Sequence, residues 1–278
     1  MFEPLEAAGA IDFAALLDLE DRQADGFRGW CHQGSPLRAF GGHLAAQGFM
    51  AAARTAPAGQ LPASVHLYFA SAASTELPVD YLVSETRDGR SFSVRSVTGM
   101  QRGRAVLELI AQFHRPEPGP SRQRRPDAVA CPPDSCSARP DGTGSLMERV
   151  IEQQPVAAPA GGDPGEGHSM RWIRARLPVG DDAQLQAAAV IYMTDMVLPM
   201  AAAQPHAAQQ PGVLPTASLD HAVWFHGVPR AENWQLFAAR SPVFAGTRGL
   251  AIAHVYDESG ALCASAAQDV LVRNLDGA

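Results

Sequence analysis

Residues 44–53 read Leu44-Ala-Ala-Gln-Gly-Phe-Met-Ala-Ala-Ala53, and this segment decides the fold. Its composition favours a helix, and it is apolar on almost every side. A helix on a protein surface has one apolar stripe, whereas a helix that is apolar all round is enclosed by other elements. The segment therefore predicts a buried helix with a sheet wrapped around it.

Strand-like segments surround this helix in the first half of the chain. One precedes it at residues 26–31, and four follow it, near residues 64–70, 79–86, 91–100 and 104–114. Turn signals at Asp88-Gly89 and Arg102-Gly103 separate the later strands. One strand, a helix and four antiparallel strands are typical of an α+β unit in which a sheet curls around a central helix.

The second half repeats the same order of elements. It offers a strand at 170–177, a helical run at 182–198 and strands near 218–226, 234–240, 248–256 and 261–273. Repetition of this kind predicts two copies of one structural unit. We therefore expect an α+β chain with two antiparallel sheets, each wrapped around a central helix, that pair edge to edge.

A segment rich in Pro, Gly and Arg separates the two halves. Residues 116–169 cannot supply a hydrophobic core and have the composition of a linker, with one short helix near residues 145–154. The predicted domains are therefore residues 1–115, the linker 116–169 and residues 170–278.

Charge and motifs exclude several classes of protein. The net charge is −7 and the basic residues are scattered, so nucleic acid is not an expected partner. No signal peptide or long apolar segment is recognised, which predicts a cytoplasmic protein without membrane insertion. Cys131 and Cys136 lack metal-ligand spacing, and no glycine-rich nucleotide loop is present, so we expect neither a metal nor a cofactor.

Two polar residues fall on faces that the pattern predicts to be buried. Asp195 shares a helix face with Tyr192 and Met196, and Gln268 alternates with inward apolar residues of the last strand. A buried carboxylate is costly unless it is paired, so Asp195 is a candidate for function, although a buried arginine or backbone amides could equally satisfy it. For Gln268 a structural hydrogen bond is the simpler interpretation. Ser218, at the start of a strand, has no distinguishing pattern.

The chain resembles the TesB-like type II acyl-CoA thioesterases over nearly its whole length outside the linker. The most specific matching strings are Arg87-Asp88-Gly89-Arg90-Ser91-Phe92 and Ser218-Leu-Asp220-His221-Ala-Val-Trp224-Phe225-His226. Weaker matches are Phe40-Gly41-Gly42-His43, Leu67-Tyr68-Phe69, Tyr192-Met-Thr-Asp195, Ala267-Gln268 and Arg273-Asn274. The resemblance implies a double hotdog fold and hydrolysis of fatty acyl-CoA to a free fatty acid and CoA.

The resemblance also implies a catalytic triplet that holds a water molecule. Its aspartate, hydroxyl and amide correspond to Asp195, Ser218 and Gln268. We expect Asp195 to act as the general base and the backbone N–H groups of Gly42 and His43, at a helix N-terminus, to meet the oxyanion. The expected lining of the acyl channel is Phe49, Leu185, Tyr192 and Met196.

Two alternatives and one departure bear on this expectation. A hotdog dehydratase would carry a histidine five residues after the aspartate, where this chain has Met200. A non-catalytic acyl-CoA-binding protein of the same fold is the alternative function. Many relatives have Gly-Gly-Gln where this chain has Gly41-Gly42-His43, and Arg-Pro-Gly-Asp where it has residues 71–74, so substrate preference is open. Exposed sheet edges and the family predict a homo-oligomer.

Overall fold

The computed structural model describes residues 12–22, 26–35, 38–123, 125–126, 149–156, 167–207 and 216–272. Its helices are α1 (Phe13–Leu16), α2 (Gly41–Arg54) and α3 (Ala183–Ala207). The strands of the first half are β1 (Glu20–Arg22), β2 (Gly26–Gly29), β3 (Gln33–Ser35), β4 (Arg38–Ala39), β5 (Leu61–Tyr68), β6 (Val79–Asp88), β7 (Phe92–Gln101) and β8 (Arg104–His114). The later strands are β9 (Ile151–Val156), β10 (Gly167–Ala175), β11 (Thr216–Ser218), β12 (Asp220–Phe225), β13 (Gln235–Ala245), β14 (Arg248–Asp257) and β15 (Leu262–Val272).

Within the described ranges, thirteen strands form one antiparallel sheet. The order along the sheet is β1-β2-β6-β7-β8-β5-β12-β15-β14-β13-β10-β9, with β11 paired to β15. The first and second halves meet where β5 pairs with β12, in the register Val65↔Val223. The described strands thus form one continuous antiparallel sheet that runs through both halves. A separate two-stranded sheet is formed by β3 and β4.

The major elements lie close to their predicted positions, and the differences have physical causes. Helix α3 continues to Ala207, past the predicted end at Leu198, although it contains Pro199 and Pro205. A proline removes one hydrogen bond from a helix, and the burial of Leu198, Ala201 and Ala202 around Pro199 offsets that loss. The predicted helix at 145–154 is wrong from residue 151 onward, because β9 lies there and pairs with β10. Cys131 and Cys136 lie outside the described residues.

Both long helices pack against the sheet and against each other. In α2 the side chains of Ala45, Ala46, Phe49, Ala51 and Ala52 are fully buried. Small side chains on every face let the helix pack closely against α3 on one side and the sheet on the other. This confirms the prediction, made from residues 44–53, that the helix is buried.

Helix α3 corrects one prediction from the sequence. We expected no segment long and apolar enough to cross a bilayer, yet residues 183–205 meet that criterion by length and composition. In the fold, 83% of the apolar window is buried. The core helix of a globular protein passes the same test, and the burial of α3 accounts for its composition.

The C-terminal end of α2 is capped by a buried arginine. The side chain of Arg95, on β7, is 1% exposed and donates to the Thr55 carbonyl oxygen at 2.8 Å and the Thr55 hydroxyl at 3.0 Å. Asp88 pairs with the guanidinium at 2.6 Å. A cation at a helix C-terminus stabilises the free carbonyls there. The family string that contains Asp88 therefore holds one end of α2 in place.

We expect Arg95→Met to lower the free energy of unfolding by about 1–3 kcal/mol, because the Thr55 carbonyl and Asp88 lose a charged partner. Arg90→Met is the matched control, since Arg90 is exposed in the turn before β7 and should change stability by less than about 0.5 kcal/mol. Urea denaturation measures both. Equal stability of the two variants would contradict the capping role.

Candidate active site

Three polar side chains that the sequence singled out meet at one buried point. Asp195, on α3, is 5% exposed, and Gln268, on β15, is 1% exposed. The Ser218 hydroxyl donates to Asp195 Oδ1 at 2.8 Å, and Gln268 Nε2 donates to the same oxygen at 2.5 Å. The structure therefore brings together the three residues expected to form the catalytic triplet. Gln268 Oε1 is buried and has no hydrogen-bond partner among the described residues.

Burial dominates the acidity of Asp195. Removal of the carboxylate from water raises its pKa from the ordinary value of 3.8 to about 6. Hydrogen bonds from Gln268, Ser218 and the backbone N–H of Gly42 favour the charged form and act in the opposite direction. A carboxyl with a pKa near 6 can both accept and release a proton close to neutral pH, which suits a general base.

The other oxygen of Asp195 points toward the start of α2. A Cβ atom added to Gly41 would lie 2.7 Å from Asp195 Oδ2, and one added to Gly42 would lie 2.6 Å from the Tyr192 carbonyl oxygen. Both positions must therefore be glycine for α2 to approach α3 this closely. The first N–H groups of a helix have no partner within the helix, so α2 directs free donors at this region.

His43 follows these glycines, and its ring contacts His32. The ring is fully buried, and its Nδ1 accepts a hydrogen bond from the His32 backbone N–H at 3.2 Å. Burial and the neighbouring His32 hold the pKa of His43 well below its ordinary value, so the ring is neutral. Of the two proposed oxyanion groups, His43 can contribute only its backbone N–H.

Tyr192 is fixed by a second buried histidine. His32 Nδ1 lies 3.0 Å from the Gln33 carbonyl, which can only accept, so Nδ1 carries the proton. His32 Nε2 then accepts from the Tyr192 hydroxyl at 2.8 Å. The hydroxyl one turn before Asp195 is thereby committed to a structural hydrogen bond.

The four expected channel residues do not cluster around Asp195. Tyr192 and Met196 flank it on α3, whereas Leu185 is ten residues earlier, about 15 Å along the helix axis. Phe49 packs on Phe113 with ring centroids 5.7 Å apart, further along α2. Tyr192, Leu185 and Phe49 are buried parts of the core, and Met196 is half-buried.

Two contacts at the site were not anticipated from the sequence. The Phe69 ring lies beside Gly41 on the same side as Asp195 Oδ2, and the Thr194 hydroxyl lies 2.9 Å from His221 Nε2. Thr194 and His221 are both buried next to the catalytic candidates. The family strings contain Phe69 and His221, but a string does not reveal which face each side chain occupies. Within the described ranges, no group of three or more His, Cys, Asp or Glu side chains could hold a metal ion.

Comparison with known proteins matches both halves of this arrangement. A model of the acyl-CoA thioesterase N-terminal domain matches residues 28–114, and a model of the acyl-CoA thioesterase C-terminal domain matches residues 126–272. The chain belongs to the acyl-CoA thioesterase family. It is therefore a thioester hydrolase.

Individual relatives of this thioesterase agree over nearly the whole chain. Acyl-coenzyme A thioesterase 8 of Homo sapiens is 31% identical and spans 93% of this chain and 88% of its own length. The crystal structure of acyl-CoA thioesterase II TesB2 from Mycobacterium marinum is 32% identical, covers 96% of this chain and 100% of its own, and has a TM-score of 0.83. These similarities identify the TesB-like type II group.

A third similarity concerns the fold alone. A hot dog fold protein from Alicyclobacillus acidocaldarius has a TM-score of 0.78 at 22% identity, covering 94% of this chain and 98% of its own. Together with the antiparallel sheet around two helices, it identifies the hotdog fold of this thioesterase.

Gly41→Ala should reduce kcat/KM for thioester hydrolysis about a hundredfold, because the added methyl group would push the Asp195 carboxylate off its two donors. Gly119→Ala is the control, since a Cβ there meets nothing within 4 Å. Steady-state kinetics of the two variants measures the effect. Wild-type kcat/KM in Gly41→Ala would refute the steric constraint.

The raised pKa of Asp195 predicts how the stability of the wild type changes with pH. The reference is the Asp195→Asn variant, because its amide side chain does not ionise. Between about pH 4 and pH 6 the carboxyl is charged in the unfolded chain but protonated in the fold. The wild type should therefore lose about 2–3 kcal/mol relative to the variant as the pH rises through this window. Urea denaturation at pH 4 to 8 measures the difference, and a constant difference would contradict the burial of a protonated carboxyl.

Proposed function

We propose that the chain hydrolyses acyl-CoA thioesters to a free carboxylic acid and CoA, with Asp195 as the general base. One observation carries the proposal. Asp195 Oδ1 is held by Ser218 and Gln268, while Oδ2 is directed at the glycine start of α2. A carboxylate that is anchored through one oxygen presents the other in a fixed direction, as a positioned base requires.

The proposed reaction needs no covalent intermediate. A water molecule donates one hydrogen to Asp195 Oδ2 and attacks the thioester carbonyl carbon as Asp195 takes that proton. The tetrahedral intermediate then collapses with cleavage of the carbon–sulfur bond, and the CoA thiolate receives the proton from Asp195. Gln268 Oε1 is a suitable acceptor for the second hydrogen of the water, since it is buried and otherwise unpaired among the described residues.

The oxyanion is proposed to form at the N-terminus of α2. Leu44 N–H is bonded to the Phe40 carbonyl at 3.1 Å, so the N–H groups of Gly42 and His43 precede the first such bond. The Gly42 N–H also bonds to Asp195, so the His43 N–H is the main donor proposed for the oxyanion. These donors and the helix dipole favour negative charge. The base and the oxyanion site would then come from different halves of the chain, which accounts for the need for both.

The finer architecture belongs to the same proposal. Each half supplies one central helix and its strands, so we assign a double hotdog with units at residues 1–115 and 170–278. The intervening segment 116–169 includes β9, which extends the sheet of the second unit. An acyl chain bound between the helices would meet Tyr192 and Met196 first and the more distant Phe49 and Leu185 only if it is long. Cytoplasmic location and self-association stay predictions.

The test follows CoA thiol release from a series of acyl-CoAs, short to long, for the wild type and Asp195→Asn. We expect Asp195→Asn to lower kcat about 10²- to 10⁴-fold, because the base is lost. The matched control is Asp181→Asn, whose carboxylate is 97% exposed beside Arg230 and should leave kcat unchanged. For the wild type, kcat/KM should rise with pH through about 6 and then level off, because only the deprotonated carboxylate accepts a proton.

Two results would overturn the proposal. Wild-type turnover in folded Asp195→Asn would exclude Asp195 as the base. Binding of acyl-CoA without release of CoA from any member of the series would indicate a binding protein instead of an enzyme.

A further inference from the structure

Gly41 marks a narrow space between a carboxylate oxygen and an aromatic ring. A Cβ atom at Gly41 would lie 2.7 Å from Asp195 Oδ2 and 3.2 and 3.4 Å from Phe69 Cζ and Cε1. The ring edge and the oxygen therefore face the same side of the Gly41 backbone. Ser218 and Gln268 donate to Oδ1, whereas Oδ2 is the carboxylate oxygen that lies beside the ring.

Phe69 is held in place by one backbone contact across the two halves and by a neighbouring contact within the first half. Its backbone N–H donates to the Leu219 carbonyl at 3.0 Å, next to Ser218. The following residue, Ala70, donates to the Val106 carbonyl at 3.1 Å. The ring packs against the main core, whereas the neighbouring Tyr68 is 67% exposed on the other face of the sheet. The backbone thus directs Phe69, and not Tyr68, toward the site.

We propose that Phe69 is a positioning residue for hydrolysis, whose ring covers Asp195 Oδ2 at Gly41 and keeps bulk water away from it. This inference rests on the proposed function of Asp195. A base in an apolar environment has its charge stabilised only by the hydrogen bonds that the protein supplies, and the single water that reacts is then the one bound in the site. Phe69 comes from the first half of the chain, so it would make the environment of the base depend on both halves.

The titratable groups on the surrounding elements do not offer another explanation. On α2 and β12 burial lowers the pKa values of His43 and His221, and on α3 it raises the pKa of Tyr192, so all three are neutral between pH 5 and 8. Asp220, on β12, accepts a hydrogen bond from the Asp269 backbone N–H, and Asp269 pairs with Arg248. The largest influence on Asp195 is burial, and no neighbouring charge enters as a cause.

The experiment measures the titration of Asp195 without relying on activity. The free energy of unfolding is measured from pH 4 to 8 for four proteins: wild type, Asp195→Asn, Phe69→Ala and the double variant. The difference that Asp195→Asn makes at each pH gives the titration of Asp195, with Phe69 present and with Phe69 replaced. We expect Phe69→Ala to move the titration midpoint of Asp195 down by about one pH unit or more, toward its ordinary value. Phe69→Leu keeps an apolar cover and should keep the midpoint, and Tyr68→Ala is the matched control on the exposed face.

A second measurement links the cover to hydrolysis. In Phe69→Ala, the pH midpoint of the acidic limb of the kcat/KM profile should fall by the same amount as the titration midpoint of Asp195. In Phe69→Leu, this midpoint should stay at the wild-type value. If Phe69→Ala does not fold, Phe69→Gln serves instead, because it keeps bulk but admits hydrogen bonds to water. An unchanged midpoint in the folded variant overturns the inference. A shifted midpoint in a protein without thioesterase activity would retain the role of Phe69 as the cover of Asp195 and refute the proposed function.

Discussion

Two helices cross where α2 begins, and they lie too close together to admit a Cβ atom at Gly41 or Gly42. The rest of the molecule depends on this crossing. It brings the N–H groups at the start of α2 to the carboxylate of Asp195. The continuous sheet packs against the pair, and Arg95 holds the far end of α2 through Thr55. The position of the donors is therefore fixed from both ends of the helix.

The carboxylate at this crossing opposes the stability of the fold. Its raised pKa means that the charged form is less favourable in the interior than in water, and the hydrogen bonds from Ser218 and Gln268 offset only part of that cost. Natural proteins tolerate such a conflict where the group has a task, provided that the surrounding core is stable enough. Here the core consists of apolar side chains on both helices and the inner face of a thirteen-stranded sheet.

Periodicity alone predicted much of this arrangement. Asp195 and Gln268 were recognisable because each breaks an apolar pattern of known period, and the burial of both is confirmed. Ser218 breaks no pattern and depended on the family resemblance. The contact of Phe69 with Gly41 could not be predicted from the sequence. The tertiary fold brings these two segments together, and no local sequence pattern relates them. Strand β9 was missed because Glu152, Gln153 and Gln154 interrupt the apolar alternation of an edge strand.

The junction of β5 with β12 places two helices of common design in one polypeptide, and this has an evolutionary consequence. In a dimer of identical units every substitution occurs twice. In a single polypeptide that constraint is absent, so the two halves can differ. Helix α2 contains the glycines and no acidic residue, whereas α3 contains the acidic residue and no glycine. Each helix thus provides what the other lacks, and neither half contains both parts of the site.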